Sequence, residues 1–194
     1  MLKSSLSSFQ DRVGDFIKPL PLHPNHLTLL SVLLAALGAW YSWQLSLIGP
    51  LFFLLSFAID GLDGALARAK NLSSHFGAYL DGMCDRLVEF FSLIPFLFTP
   101  VYLLPALLIL FFGSVMTAFS KAYADHREVC DAKTAAKLTT LLPRTERAIG
   151  LFVALVLFVQ GRFDLLVPLL WILAAGSMLS FLWLQYGVWR ASLK

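Results

Sequence analysis

The chain has 194 residues, of which 58% belong to the hydrophobic set and 14% are charged, with a formal net charge of +3 and a mean hydropathy of +0.76. Soluble domains sit near 45–50% apolar and about 25% charged, so disorder, a coiled coil, a collagen-like repeat and an ordinary cytosolic globule are excluded. An all-α, polytopic membrane protein is what remains.

Taken in chain order, the pattern opens with Leu2, Leu6, Phe9, Val13 and Phe16 at steps of four and three, while Lys3, Asp11, Arg12 and Asp15 occupy other positions. Residues 1–18 are therefore predicted to form an amphipathic helix lying in the membrane surface. The apolar residues here are dispersed and form no continuous core, so no signal peptide is expected. Residues 19–194 are predicted to be a single transmembrane domain. Three stretches carry no formal charge: 33 residues at 27–59, 31 at 90–120 and 25 at 165–189. A bilayer core takes roughly 20 apolar helical residues, so the first two must fold back on themselves. Gly49-Pro50 breaks the first, and Pro100 with Pro105 brackets the turn in the second. Six spans result, near 25–44, 50–69, 76–97, 101–123, 145–161 and 166–189. Trp40, Tyr41 and Trp43 fall where an interfacial aromatic belt belongs.

Basic residues gather at the N-terminus, around residue 70, between 121 and 147 and at the C-terminus, whereas Arg162 falls on the opposite face. Positive charge is retained in the cytoplasm, which predicts cytoplasmic termini and a cytoplasmic active face in the cell membrane. That distribution accounts for the net charge without a nucleic-acid partner. Cys84 and Cys130 form no metal pair or disulfide framework and are read as structural. No Walker loop, GxGxxG, HExxH or Cys/His cluster is present.

Asp60, Asp63, Asp81 and Asp85 break the apolar pattern of spans two and three. Unpaired at mid-helix they would cost on the order of 10 kcal/mol together, so a strong compensating partner is required. Asp60, Asp63, Gly64 and Ala67 lie at i, i+3, i+4 and i+7 on one helix face, and Gly77, Asp81 and Asp85 at i, i+4 and i+8 on another. The short turn around 70–75 makes these helices antiparallel. Asp60 then stands about 12 Å above Arg68, and Asp85 about 12 Å above Gly77, so the carboxylates meet at matching depth. Four facing oxygen donors suit Mg²⁺ or Mn²⁺ rather than zinc, and two such ions clamped by shared carboxylates serve displacement at phosphorus. A salt-bridge network fits less well, because Arg68 and Arg86 are the only nearby cations for four aspartates. A divalent-metal transporter could use the same carboxylates, but the far halves of spans two and three show no polar trail.

The run Asp60-x2-Asp63-Gly64-x2-Ala67-Arg68-x8-Gly77-x3-Asp81-x3-Asp85 resembles the motif of the CDP-alcohol phosphatidyltransferase family, with all eight positions filled. Members move a phosphatidyl-type group from a CDP-linked lipid to an alcohol and release CMP, and they often form homodimers. The resemblance implies that Asp60, Asp63, Asp81 and Asp85 hold two metal ions and that Asp85 takes the acceptor's proton. It implies that Gly64, Ala67 and Gly77 make room for the CDP group, that Asp60 and Asp63 also take part in binding the CDP-lipid, and that Arg68 meets the diphosphate. The Pro24–Thr28 stretch resembles the family's start, which adds Asn25 and Thr28 as nucleotide contacts, with helix capping as an alternative role for Asn25.

Lys121, Arg144 and Arg147 would stand at the cytoplasmic ends of spans four and five, either binding head groups or forming a pocket for a phosphorylated polyol. Arg144-x2-Arg147 and the run 77–86 resemble the branch of the family that uses inositol phosphate. The chain departs from that branch at Tyr123, where a second basic residue is expected. The predicted acceptor order is inositol phosphate, then glycerol 3-phosphate, then serine. No motif aspartate is lost, which argues against a silent lipid-binding relative.

Overall fold

The computed structural model describes residues 18–193, Leu20 excepted. The amphipathic helix expected over 1–18 thus falls almost wholly outside the described residues. Every regular element among them is helical: α1 (Pro24–Trp43), α2 (Ile48–Ala69), α3 (His75–Leu97), α4 (Pro100–His126), α5 (Ala132–Lys137), α6 (Arg144–Val159) and α7 (Phe163–Ser192). Each predicted span has its helix, with ends shifted by zero to three residues. Four of them, α1, α2, α4 and α7, are long and apolar enough to cross a bilayer. The other two fall short on composition and length. Asp81, Asp85, Arg86 and Glu89 interrupt α3, and α6 has 16 residues, about 24 Å of helix.

The chain divides into two compact units, residues 1–92 and 93–194. In the first, α1 begins with Pro24 at its first turn, where a missing N–H costs nothing. His23 is the N-cap, its ring nitrogen accepting from the Asn25 N–H at 3.3 Å. The capping role open to Asn25 therefore belongs to His23, two residues upstream. Helices α1 and α2 pack closely through small residues, the usual solution where lipid provides no hydrophobic drive for association. A Cβ on Gly38 would stand 3.1 Å from the Gly49 carbonyl and 3.2 Å from the Phe53 amide, both backbone. Ser56 Oγ crosses the same interface to donate to the Ser31 carbonyl at 2.7 Å.

Helix α2 ends in a Schellman motif. Asn71 takes the left-handed conformation (φ 56°). Its N–H donates to the Arg68 carbonyl at 3.1 Å, and the Leu72 N–H to the Ala67 carbonyl at 2.9 Å. Asn is among the few residues that adopt this geometry readily. Ser74 then caps α3, its Oγ accepting from the Gly77 N–H at 3.0 Å.

In the second unit, Phe96, Tyr102 and Phe158 meet edge to face with centroids 5.5–6.3 Å apart. Leu151, Leu155, Leu166 and Leu170 are fully buried around the same core. Helix α4 changes character midway: Pro100–Leu108 is α, Ile109–Met116 is π, and Thr117–His126 is α again. Helix α5 is capped by Asp131, whose Oδ1 accepts from the Thr134 N–H at 3.2 Å. Hydrogen bonding to Thr134 holds that exposed carboxyl below the usual carboxylate range.

Candidate active site

The end of α2, the turn after it, the start of α3 and the first turn of α1 enclose a cleft of about 200 Å³. Its wall includes Asn25, Thr28, Asp63, Gly64, Ala67, Arg68, Gly77 and Asp81. Seven of the eight residues predicted to bind the CDP-lipid thus line one cavity, although the motif's spacing gave no information about α1. Asp60, the eighth, sits deeper on α2, 8% exposed. The cleft also has Ser73 and Ser74 on its wall. Neither was singled out in the sequence, although a serine three residues before Gly77 and just ahead of an apolar run is a recognisable N-cap signal.

Two motif glycines, Gly64 and Gly77, sit at close approaches in this cleft. A Cβ on Gly77 would stand 3.2 Å from Ser74 Oγ and 3.7 Å from Asn25 Oδ1, so the missing side chain keeps the mouth open between α1 and α3. A Cβ on Gly64 would meet Arg68 Nη1 at 3.5 Å, so the guanidinium lies over Gly64, one turn back along its own helix. Lys70 donates from Nζ to the Leu22 carbonyl at 2.8 Å, tying the chain before α1 to the end of α2.

One carboxylate oxygen each from Asp60, Asp81 and Asp85 lies within 4.8 Å of the others. Asp81 belongs both to this cluster and to the cleft wall. The fourth aspartate is held differently. Asp63 is 5% exposed, its Oδ2 accepts from Thr28 Oγ1, and its Oδ1 accepts from the Gly64 N–H at 2.5 Å. The symmetrical set of four expected from spacing is therefore a cluster of three plus one carboxylate anchored to α1. Thr28 is buried, and its hydroxyl donates to Asp63 while lying 3.3 Å from the Pro24 carbonyl. Asp85 Oδ2 accepts from Arg86 Nη1 at 3.1 Å, and the same nitrogen donates to the Gly82 carbonyl at 3.1 Å.

Three converging oxygens suit a hard cation. An Mg–O distance of roughly 2.1 Å places ligand oxygens at most about 4.2 Å apart across the ion, so small rotations of these side chains suffice. Asp60 Oδ1 and Asp85 Oδ1 are buried and accept no hydrogen bond, although both side chains have other interactions.

The residues predicted to bind the acceptor lie in the second unit, around the loop between α5 and α6. Lys121 Nζ donates to the Leu138 carbonyl at 2.7 Å, and Arg147 Nη1 to the Leu142 carbonyl at 3.3 Å. Ser180 Oγ accepts from the Leu142 N–H at 2.5 Å. Arg147 is 5% exposed, whereas Arg144, at the first position of α6, is partly exposed. Lys121 and Arg147 thus bind the two ends of one loop, a connection no sequence spacing reveals.

The sequence profile of the family described as CDP-alcohol phosphatidyltransferase matches residues 21–183. A bifunctional IPC transferase and DIPP synthase from Aquifex aeolicus is 35% identical over 100 residues, 50% of this chain and 23% of that protein. The chain therefore spans about a quarter of that relative's length. An archaetidylinositol phosphate synthase from Pyrococcus horikoshii is 29% identical over 145 residues, 74% of each chain. The fold is that of crystal structures of a Mycobacterium tuberculosis phosphatidylinositol phosphate synthase, one with CDP-DAG bound and one in complex with manganese and citrate. The TM-score is 0.71 for both, at 23% identity over 93% of this chain and 93% and 88% of those chains.

Proposed function

The chain belongs to the CDP-alcohol phosphatidyltransferase family, and from that premise we propose that it joins a CDP-linked lipid to a phosphorylated polyol, inositol phosphate first, and releases CMP. The observation that carries this reading is one cleft lined by the motif residues, with Asp81 shared between it and the three-carboxylate cluster. Membership also makes the protein an integral membrane enzyme of phospholipid synthesis and removes the transporter alternative. In this reading all six long helices cross the bilayer, the site faces the cytoplasm and the enzyme is a homodimer.

The acceptor's hydroxyl oxygen attacks the phosphorus of the lipid phosphate. Its bond to the oxygen bridging to the cytidine-bearing phosphate breaks, and CMP leaves with that electron pair. The hydroxyl proton passes to the Asp85 carboxylate, which also accepts a hydrogen bond from Arg86. Arg68 binds the diphosphate as a fixed positive charge, and Gly64, Ala67 and Gly77 admit the nucleotide beside Asn25. Asp63, fixed by Thr28, completes the carboxylate set with Asp60, Asp81 and Asp85. Mg²⁺ or Mn²⁺ held by these four carboxylates, two ions in all, would neutralise the charge that builds on the diphosphate.

We assign the acceptor's phosphate to Lys121, Arg144 and Arg147, with Arg able to bind it through two parallel hydrogen bonds. The relatives named for inositol phosphate products support this assignment. CMP release should be measured with inositol phosphate, glycerol 3-phosphate, free inositol and serine in turn. Inositol phosphate is expected to give the highest kcat/KM; serine or free inositol turning over faster than both phosphorylated polyols would reject the acceptor. Arg144→Ala and Arg147→Ala should each raise KM for inositol phosphate about ten- to a hundredfold, the equivalent of roughly 1.5–3 kcal/mol for a charged hydrogen bond. The CDP-lipid KM should stay within about threefold of the parent's.

A further inference from the structure

A buried arginine needs a fitted seat, and the π segment of α4 provides one. The wider turn of a π segment displaces backbone from the regular helical surface, and such segments recur at functional sites. Here the segment is Ile109–Met116, and Gly113 and Ser114 are buried within it. Thr117 Oγ1 holds its end, donating to the Gly113 carbonyl at 2.5 Å. A Cβ placed on Gly113 would stand 3.0 Å from Arg147 Cδ, 3.2 Å from Arg147 Nε and 2.8 Å from Ser177 Oγ. The Arg147 side chain from α6 therefore lies directly across the bare Gly113 backbone, with Ser177 of α7 against the same spot. The end of that side chain reaches the Leu142 carbonyl. Ser177 Oγ is fully buried and has no hydrogen-bond partner, so what it contributes at this contact is its small size.

We infer that Gly113 and Ser177 are positioning residues of the acceptor site: together they leave the channel in which Arg147 is laid so that its guanidinium is aimed at the acceptor's phosphate. The inference rests on the acceptor assignment made above. Any side chain at 113 pushes the arginine at its Cδ and Nε, and a displacement there is carried to the guanidinium. Misplacement of a binding group by a fraction of an ångström to an ångström is costly when the ligand must be held in a reactive geometry. The nucleotide cleft is built from other residues, so only acceptor recognition should suffer.

The full-length protein in nanodiscs, assayed for CMP release, tests this. Gly113→Ala should fold, since alanine is the better helix former. It should raise KM for inositol phosphate roughly tenfold, with CDP-lipid KM and thermal midpoint close to the parent's. Adding Ser177→Ala should restore part of the loss, because removing Oγ lets the new methyl lean toward α7 instead of against Arg147. Ser177→Thr, which crowds the same space without altering α4, should shift acceptor KM in the same direction as Gly113→Ala. A Gly113→Ala enzyme with parental acceptor KM, a double variant with no recovery, or a parallel rise in both KM values overturns the inference. A parent that turns over well with serine or free inositol but with neither phosphorylated polyol rejects the acceptor reading instead, and this inference with it.

Discussion

Asp85→Asn is expected to lower kcat at least a thousandfold while CDP-lipid KM stays within about threefold, the upper part of the range for loss of a general base. Asparagine keeps the shape of the side chain and one oxygen for a cation, and it can still accept from Arg86. What it loses is the capacity to take a proton at the moment the acceptor's hydroxyl attacks. Steady-state kinetics on the purified variant, with the thermal midpoint as a check on folding, separates these functions. A variant within about tenfold of the parent, or ~1.4 kcal/mol in barrier, would place the base on another residue.

The second large effect concerns Asp60, and it has opposite signs with and without cation. Asp60, Asp81 and Asp85 bring three carboxylate oxygens within 4.8 Å of one another. At an effective dielectric near 20, two charges at that separation repel by about 3.5 kcal/mol. Asp60→Asn removes one of the three charges, so in chelator the variant should melt at a higher temperature than the parent. Bound cation reverses the order, because stabilisation grows with the ratio of free ligand to Kd and the variant should bind Mn²⁺ at least about tenfold more weakly. Thermal melts across a Mn²⁺ titration report both. A parent whose midpoint does not respond to Mn²⁺, or a variant that responds equally, would remove Asp60 from the cation site.

The parts of this protein legible in the sequence are those set by local periodicity. Charge-free stretches broken by Gly49-Pro50 and by Pro100 gave the helices, because a bilayer fixes the length an apolar helix must have. The carboxylate faces were legible because i, i+3, i+4 and i+7 project onto one side of any helix, whatever packs against it. Contacts between helices were not. The engagement of Thr28 with Asp63 depends on how α1 crosses α2, 35 residues apart in the chain, and nothing at either position announces it. The cap on α1 lies two residues before Asn25, the capping candidate, because an N-cap histidine is a weak signal beside an asparagine. The π segment was invisible for a different reason: Ile109–Met116 has no polar residue but Ser114, so it reads as ordinary apolar span. Nor could the burial of Arg147 against Gly113 be foreseen from a residue that composition places at a membrane boundary.

Transfer from CDP-lipid to acceptor is proposed to depend on divalent cation held by the aspartates of α2 and α3. Its most direct measurement is CMP release by the purified chain given CDP-diacylglycerol and inositol phosphate, first in Mn²⁺, then in excess EDTA, then with Mn²⁺ restored. Release is expected to require both acceptor and cation, to fall to background in chelator and to return on re-addition. Undiminished release in excess EDTA, or CMP formed at the same rate without acceptor, would contradict this expectation.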